Sequence, residues 1–186
     1  MTTWSDETAR RIGTAIKEAR GNSRTAQWVA DRTQELGHPI SRTAISEYET
    51  GKRKTMPVSD LVVVARALNV PPALLLYPVQ PDAAVEYLPG REILSIDAVQ
   101  AFAGERAVMD EARESIALLR LARRWRELVA DVAALERTKS LAGDEDDEMM
   151  ESLQPGQSYT KRLETARQER DEVRAAIAKL MGGPDA

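Results

Sequence analysis

Apolar positions recur at three- and four-residue intervals along most of the chain, and strand-like alternation is almost absent, so the pattern predicts helices. Ala, Leu, Glu and Arg, all good helix formers, dominate. In residues 6–20, Ile12, Ala15, Ile16 and Ala19 form one stripe that stops at Gly21-Asn22, as expected of a helix with glycine just past its end. Thr25 is placed to cap a second helix running to Leu36, with Val29, Ala30, Thr33 and Leu36 on its inner face. Gly37-His38-Pro39 breaks it. Ser41 is placed to cap a third helix that turns Ile45 and Tyr48 inward and ends at Gly51. Residues 52–57 read as a basic loop closed by Pro57. Ser59 then opens a fourth helix with Leu61, Val64, Ala65 and Leu68 as its stripe, and Pro71-Pro72 starts a short fifth over Leu74 and Leu75. Residues 1–77 therefore read as a domain of five short helices.

The texture then changes twice. Pro78, Pro81 and Pro89 mark residues 78–104 as a linker with a short helix, capped by Ser95 or Asp97 and running through Phe102. Val85 to Leu94 reads as a small hairpin around Pro89-Gly90 or as extended chain. Beyond it, Leu118, Leu121, Trp125, Leu128, Val132 and Leu135 are spaced 3, 4, 3, 4, 3, a heptad seam in a helix from about Glu105 to Arg137. Tyr159, Leu163, Ala166, Arg170, Val173, Ile177 and Leu180 form a second seam with one charged slot. Residues 140–158 between them, with two glycines, one proline and the acidic run Asp144 to Glu148, read as a mobile loop. The fold class is thus all-α: a five-helix domain, a linker, and a helical hairpin over residues 105–186. That hairpin either packs on the first domain or pairs two chains into a four-helix bundle. The length of the seams favours a homodimer joined through Leu118, Leu121, Trp125, Leu128, Val132, Leu135, Val173, Ile177 and Leu180.

Composition narrows the chemistry. The absence of Cys removes disulfides, thiolate nucleophiles and Cys-based zinc sites. The single His, His38 beside Pro39, has no second His or Cys to share a metal or a catalytic triad and reads as a turn residue. The acidic run lacks the alternating ligands, central Gly and spaced final Glu of an EF-hand. Phosphate-binding glycine loops and nucleophile elbows are missing too. The expectation is no metal, no cofactor and no enzymatic activity. The longest apolar run, Leu61 to Ala65, is too short to span a bilayer, and the N-terminal residues lack a charged-then-apolar signal pattern. A cytoplasmic, nucleoid-associated protein is expected.

A net charge of −4 over 186 residues looks unfavourable for nucleic acid. Divided by segment it is +3 over residues 1–80, −3 over 81–137 and −4 over 138–186, so the first domain is the basic one, with Lys52-Arg53-Lys54 its densest cluster. In that domain Thr25-Ala-Gln-Trp-Val29-Ala30, then Gly37, then Ser41-Arg-Thr-Ala-Ile45-Ser-Glu-Tyr48-Glu49-Thr-Gly51-Lys-Arg53 resembles the helix-turn-helix of Cro and lambda-repressor-like (XRE-family) regulators. The resemblance covers roughly residues 6–77. Two departures stand out: Ala30 to Gly37 spans seven residues where the family usually has four, and Ala26 holds a position where the family often has Gln.

The resemblance implies that the third helix enters the DNA major groove. Its polar face would offer Arg42 to guanine, Thr43 to a thymine methyl, Ser46 to either partner of a pair and Glu47 to cytosine N4. Arg24, Thr25, Lys52, Arg53 and Lys54 would contact phosphates. Glu49 would bond inside the domain. The function implied is a sequence-specific transcriptional regulator, more often a repressor, whose partner is a near-palindromic double-stranded DNA site. An antitoxin-like or adaptor protein gripping a protein partner with its C-terminal helices is the alternative. A small-molecule sensor using Tyr87 and Phe102 is a third.

Overall fold

The computed structural model describes residues 3–78, 83–106 and 113–182. Among these, nine helices and one two-stranded sheet form two compact units, Met1–Arg106 and Ala107–Ala186. A mostly helical chain is what the apolar periodicity predicts.

In the first unit, α1 (Trp4–Arg20), α2 (Ala26–Glu35), α3 (Arg42–Glu49), α4 (Val58–Leu68) and α5 (Pro72–Leu76) share one core. Ile16, Val29, Ile45 and Val64 are fully buried there, with Leu61, Leu68, Leu75 and Tyr48 around them. Helix α1 starts before the apolar stripe does because Thr3 and Asp6 make a capping box. The Thr3 hydroxyl accepts from the Asp6 N–H at 3.1 Å, and the Asp6 carboxylate accepts from the Thr3 N–H at 3.2 Å. Thr25 and Ser41 cap α2 and α3 as expected, accepting from Trp28 and Ala44 N–H groups at 3.1 Å. Two details differ from the sequence reading. Helix α4 begins at Val58 behind Pro57, not at Ser59, and no side chain caps it. Leu36 ends α2 and is 40 % exposed, because the chain has already turned away from the core there.

The stretch read as a linker belongs to the first unit. Strand β1 (Ala84–Leu88) pairs antiparallel with β2 (Arg91–Leu94), Val85 opposite Ile93, and α6 (Ser95–Phe102) follows directly. Of the two readings left open for this stretch, the hairpin forms. Its anchors are aromatic. The Trp4 indole N–H donates to the Glu86 carbonyl at 3.2 Å, and Tyr77 packs against Tyr87 and Phe102 with ring centroids 5.7 and 6.1 Å apart. Tyr77, Val85 and Ala98 form a second small core. Neither Ser95 nor Asp97 caps α6. Leu94 precedes the helix, and the buried Ser95 hydroxyl donates instead to the Pro78 carbonyl at 2.6 Å. Pro81, the middle proline of the expected linker, lies outside the described residues.

The second unit contains α7 (Arg113–Ala142), α8 (Asp144–Leu153) and α9 (Tyr159–Leu180). Glu105 and Arg106 form a bend, and residues 107–112, where the long helix was expected to begin, lie outside the described residues. Helices α7 and α9 pack as the expected antiparallel hairpin, cross-linked by Arg124–Glu169 at 2.7 Å and Arg167–Glu136 at 2.6 Å.

The expected mobile loop over 140–158 is corrected to helix for most of its length. Helix α7 runs on to Ala142, Gly143 breaks it at φ 84°, and the acidic run becomes the first turn of α8. Carboxylates are favourable at a helix N-terminus, where unpaired N–H groups carry partial positive charge. Asp147 also turns inward and accepts from the Thr160 N–H and hydroxyl. Those bonds, led by the hydroxyl, hold its carboxyl below the usual range.

Candidate nucleic-acid interface

Helices α2 and α3 pack against each other. Thr33 sets the turn between them. Its fully buried hydroxyl donates to the Ala30 carbonyl at 2.8 Å and accepts from the Ile40 N–H at 3.0 Å, so one side chain ties the end of α2 to the approach to α3. Gly37 supplies the left-handed residue of that turn, at φ 81°.

Helix α3 is seated from below. Ala44, Ile45 and Tyr48 are buried, and α1 crosses close behind the end of the helix. A Cβ on Gly13 would lie 2.0 Å from the Tyr48 carbonyl oxygen, so only glycine permits this approach. Glu49 accepts from Arg20 Nε at 2.7 Å and Nη2 at 3.2 Å, and both side chains are largely buried. Arg20 also donates to the Gly21 and Arg24 carbonyls. The bond to Glu49 raises the Arg20 pKa, outweighing its burial. Glu49 thus bonds inside the domain.

The opposite face of α3 is open. Arg42 and Thr43 are exposed, and Ser46 and Glu47 are partly so. All four residues proposed to meet bases share this face. The flanking cations differ among themselves. Lys52 is exposed and without an ion-pair partner among the described residues. Lys54 lies 3.6 Å from Asp6, and Arg53 lies 3.3 Å from Glu47. Arg24 lays its guanidinium over the Trp28 ring, 4.8 Å from the centroid, beside the N-terminus of α2. Thr25 is exposed, its hydroxyl engaged in the cap.

A polar chain missed in the sequence runs behind the basic loop. The Tyr48 hydroxyl donates to Asp60 at 2.7 Å, and His38 Nε2 meets the other Asp60 oxygen at 2.9 Å. Arg53 donates to the Tyr48 hydroxyl at 3.2 Å and lies over its ring, 5.3 Å from the centroid. Burial pushes the Asp60 carboxyl up, but the bonds from His38 and Tyr48 outweigh it and hold the group below the usual range. Burial and the bond to Asp60 both push the Tyr48 phenol up. The bond to Tyr48 raises the Arg53 pKa. The signal for this set was His38, read in the sequence only as a turn residue.

The seam residues of the second unit divide. Leu128, Val132 and Leu163 are buried between α7 and α9. Leu118, Leu121, Trp125, Leu135, Val173 and Ile177 are half-buried, and Leu180 is 46 % exposed. Among the described residues, no group of three or more His, Cys, Asp or Glu side chains is arranged to hold a metal ion, and no helix is long and apolar enough to cross a membrane. Comparison of the chain with known protein families, with curated proteins and with solved structures finds no match to any of them.

Proposed function

We propose that the chain is a sequence-specific DNA-binding regulator of the Cro and lambda-repressor-like helix-turn-helix kind. One observation carries the reading. Helix α3 is locked from behind by Gly13, Glu49 and Tyr48, while Arg42, Thr43, Ser46 and Glu47 stand together on its open face beside Lys52. A rigid helix presenting a polar face, with cations at its flank, suits base edges in the groove and phosphates at its rim. Such a protein acts in the cytoplasm on the nucleoid. Repression, by occupying DNA that polymerase needs, is the outcome that the resemblance implies.

In this reading the second unit joins two copies. Half-buried Leu118, Leu121, Trp125 and Leu135 give a two-helix hairpin apolar surface that it does not cover itself. Pairing would set two recognition helices about 34 Å apart, one turn of DNA, on a near-palindromic site. A second reading, an antitoxin-like or adaptor protein, is favoured by Leu141 and Leu153, which are 88 % and 73 % exposed at one end of the second unit. These would meet a protein partner.

The test of the main reading is fluorescence anisotropy of the full chain on a selected duplex. The Arg42→Ala, Thr43→Ala double variant is expected to weaken binding at least tenfold while keeping the wild-type melting temperature. Equal affinity of the double variant and wild type would remove base reading by α3.

A further inference from the structure

Five side chains from four parts of the first unit form one continuous polar chain: His38, Asp60, Tyr48, Arg53 and Glu47. Its direction is set by the donors. The Tyr48 hydroxyl donates its hydrogen bond to Asp60, which leaves the oxygen lone pairs facing Arg53. His38 holds the second Asp60 oxygen, so the carboxylate stays aimed at Tyr48. Tyr48 is itself a core residue, only 3 % exposed, so the hydroxyl sits at a fixed point behind α3.

That fixed point locates Arg53. Its guanidinium is bonded to the hydroxyl, stacked on the ring and paired with Glu47, and its backbone N–H also bonds the Glu47 carbonyl at 3.2 Å. A half-exposed ion pair contributes little by itself. Anchored to a buried tyrosine, however, the pair has a defined geometry. The pairing also changes what each group offers. Glu47 alone beside a groove would repel phosphate. Neutralised through one oxygen, it keeps acceptor capacity on the other. Arg53 has five N–H donors, and these bonds engage two of its nitrogens.

An acceptor held beside a donor fork matches one base pair above the others. In the major groove a cytosine–guanine pair shows the cytosine N4 donor next to the guanine O6 and N7 acceptors. We propose that Glu47 and Arg53 act as one unit that reads a cytosine–guanine pair, with Tyr48 and Asp60 as the residues that position it. This rests on the DNA-binding reading above, and it reassigns Arg53 from phosphate contact to base recognition.

The experiment is selection from a randomised duplex pool by the full chain, comparing wild type with Glu47→Gln, Tyr48→Phe and Asp60→Asn, together with the salt slope and melting temperature of each. Wild type is expected to enrich cytosine–guanine at one position of each half-site by about tenfold. Glu47→Gln, on the surface, moves that position towards adenine, which glutamine reads best. Tyr48→Phe keeps the core ring, and Tyr48→Phe and Asp60→Asn flatten the preference at that position alone, with the other positions and the salt slope unchanged. A folded Tyr48→Phe or Asp60→Asn that retains the full preference overturns the proposal. So does a uniform loss across all sequences with a salt slope lower by about one, which would make Arg53 a phosphate contact. If wild type selects no sequence, the DNA-binding reading itself fails, and this inference with it.

Discussion

A methyl group on Gly13 would meet the Tyr48 carbonyl oxygen at 2.0 Å, and that contact governs how deeply α1 seats against the end of α3. Gly13→Ala gains about 1 kcal/mol of helix propensity. The clash is with backbone that cannot rotate away, so overpacking at the upper end of about 1–3 kcal/mol should prevail and lower the urea midpoint. The Arg20–Glu49 pair is the polar counterpart of this seat. Glu49→Ala leaves Arg20 without its carboxylate and is expected to cost about 2 kcal/mol, between the values for exposed and buried pairs. Asp60 makes the seat sensitive to acid. Its carboxyl is held below the ordinary aspartate range by His38 and Tyr48, so its contribution is complete above the unfolded-state pKa and is lost as pH falls through the folded one. Urea midpoints measured between about pH 5 and pH 2 should therefore fall less steeply in Asp60→Asn than in wild type. Parallel curves would mean that the bonds to His38 and Tyr48 do not persist in solution.

Helix ends decide how much of each element the sequence discloses. Ser41→Ala removes the acceptor for the Ala44 N–H and should lower stability by about 1 kcal/mol, with most of the helical circular dichroism retained. That cap was legible, as were Thr25 and the left-handed Gly51 at φ 68°, because capping and chain reversal depend on residues three or four apart. The heptad positions of α7 and α9 were legible for the same reason. What stayed hidden depends on distant partners. Nothing near Trp4 in the sequence names its partner, the Glu86 carbonyl 82 positions later that accepts its indole N–H. His38 looks like a turn residue until Asp60, 22 positions later, meets its ring. The acidic run was misread for another reason. Two glycines, one proline and the run of carboxylates suggested a loop, whereas Gly143 places those carboxylates at a helix N-terminus and Asp147 finds Thr160. On the candidate interface, the polar face of α3 was legible from helical spacing. The pairing of Glu47 with Arg53 was not, since it depends on the path of the loop after Gly51.

At the scale of the whole molecule, charge and apolar surface are distributed between the two units. Residues 1–80 carry the net positive charge, and the α8 region carries the densest negative charge. The second unit buries few apolar side chains: Ile116, Leu128, Val132 and Leu163 among the described residues. If two copies pair through the half-buried seam, Leu121→Asp with Leu135→Asp should yield monomers by light scattering and weaken operator binding at least a hundredfold, since one half-site is lost. A stable monomeric variant that binds DNA as tightly as wild type would remove the dimer from the account. The central claim is that α3 reads DNA sequence, and the most direct test is the affinity ratio between a pool-selected duplex and the same duplex shuffled, for the full chain at two salt concentrations. The account predicts a ratio of at least about a thousandfold, with both affinities falling as salt rises. Equal affinities for the two duplexes, however salt-sensitive, would contradict it.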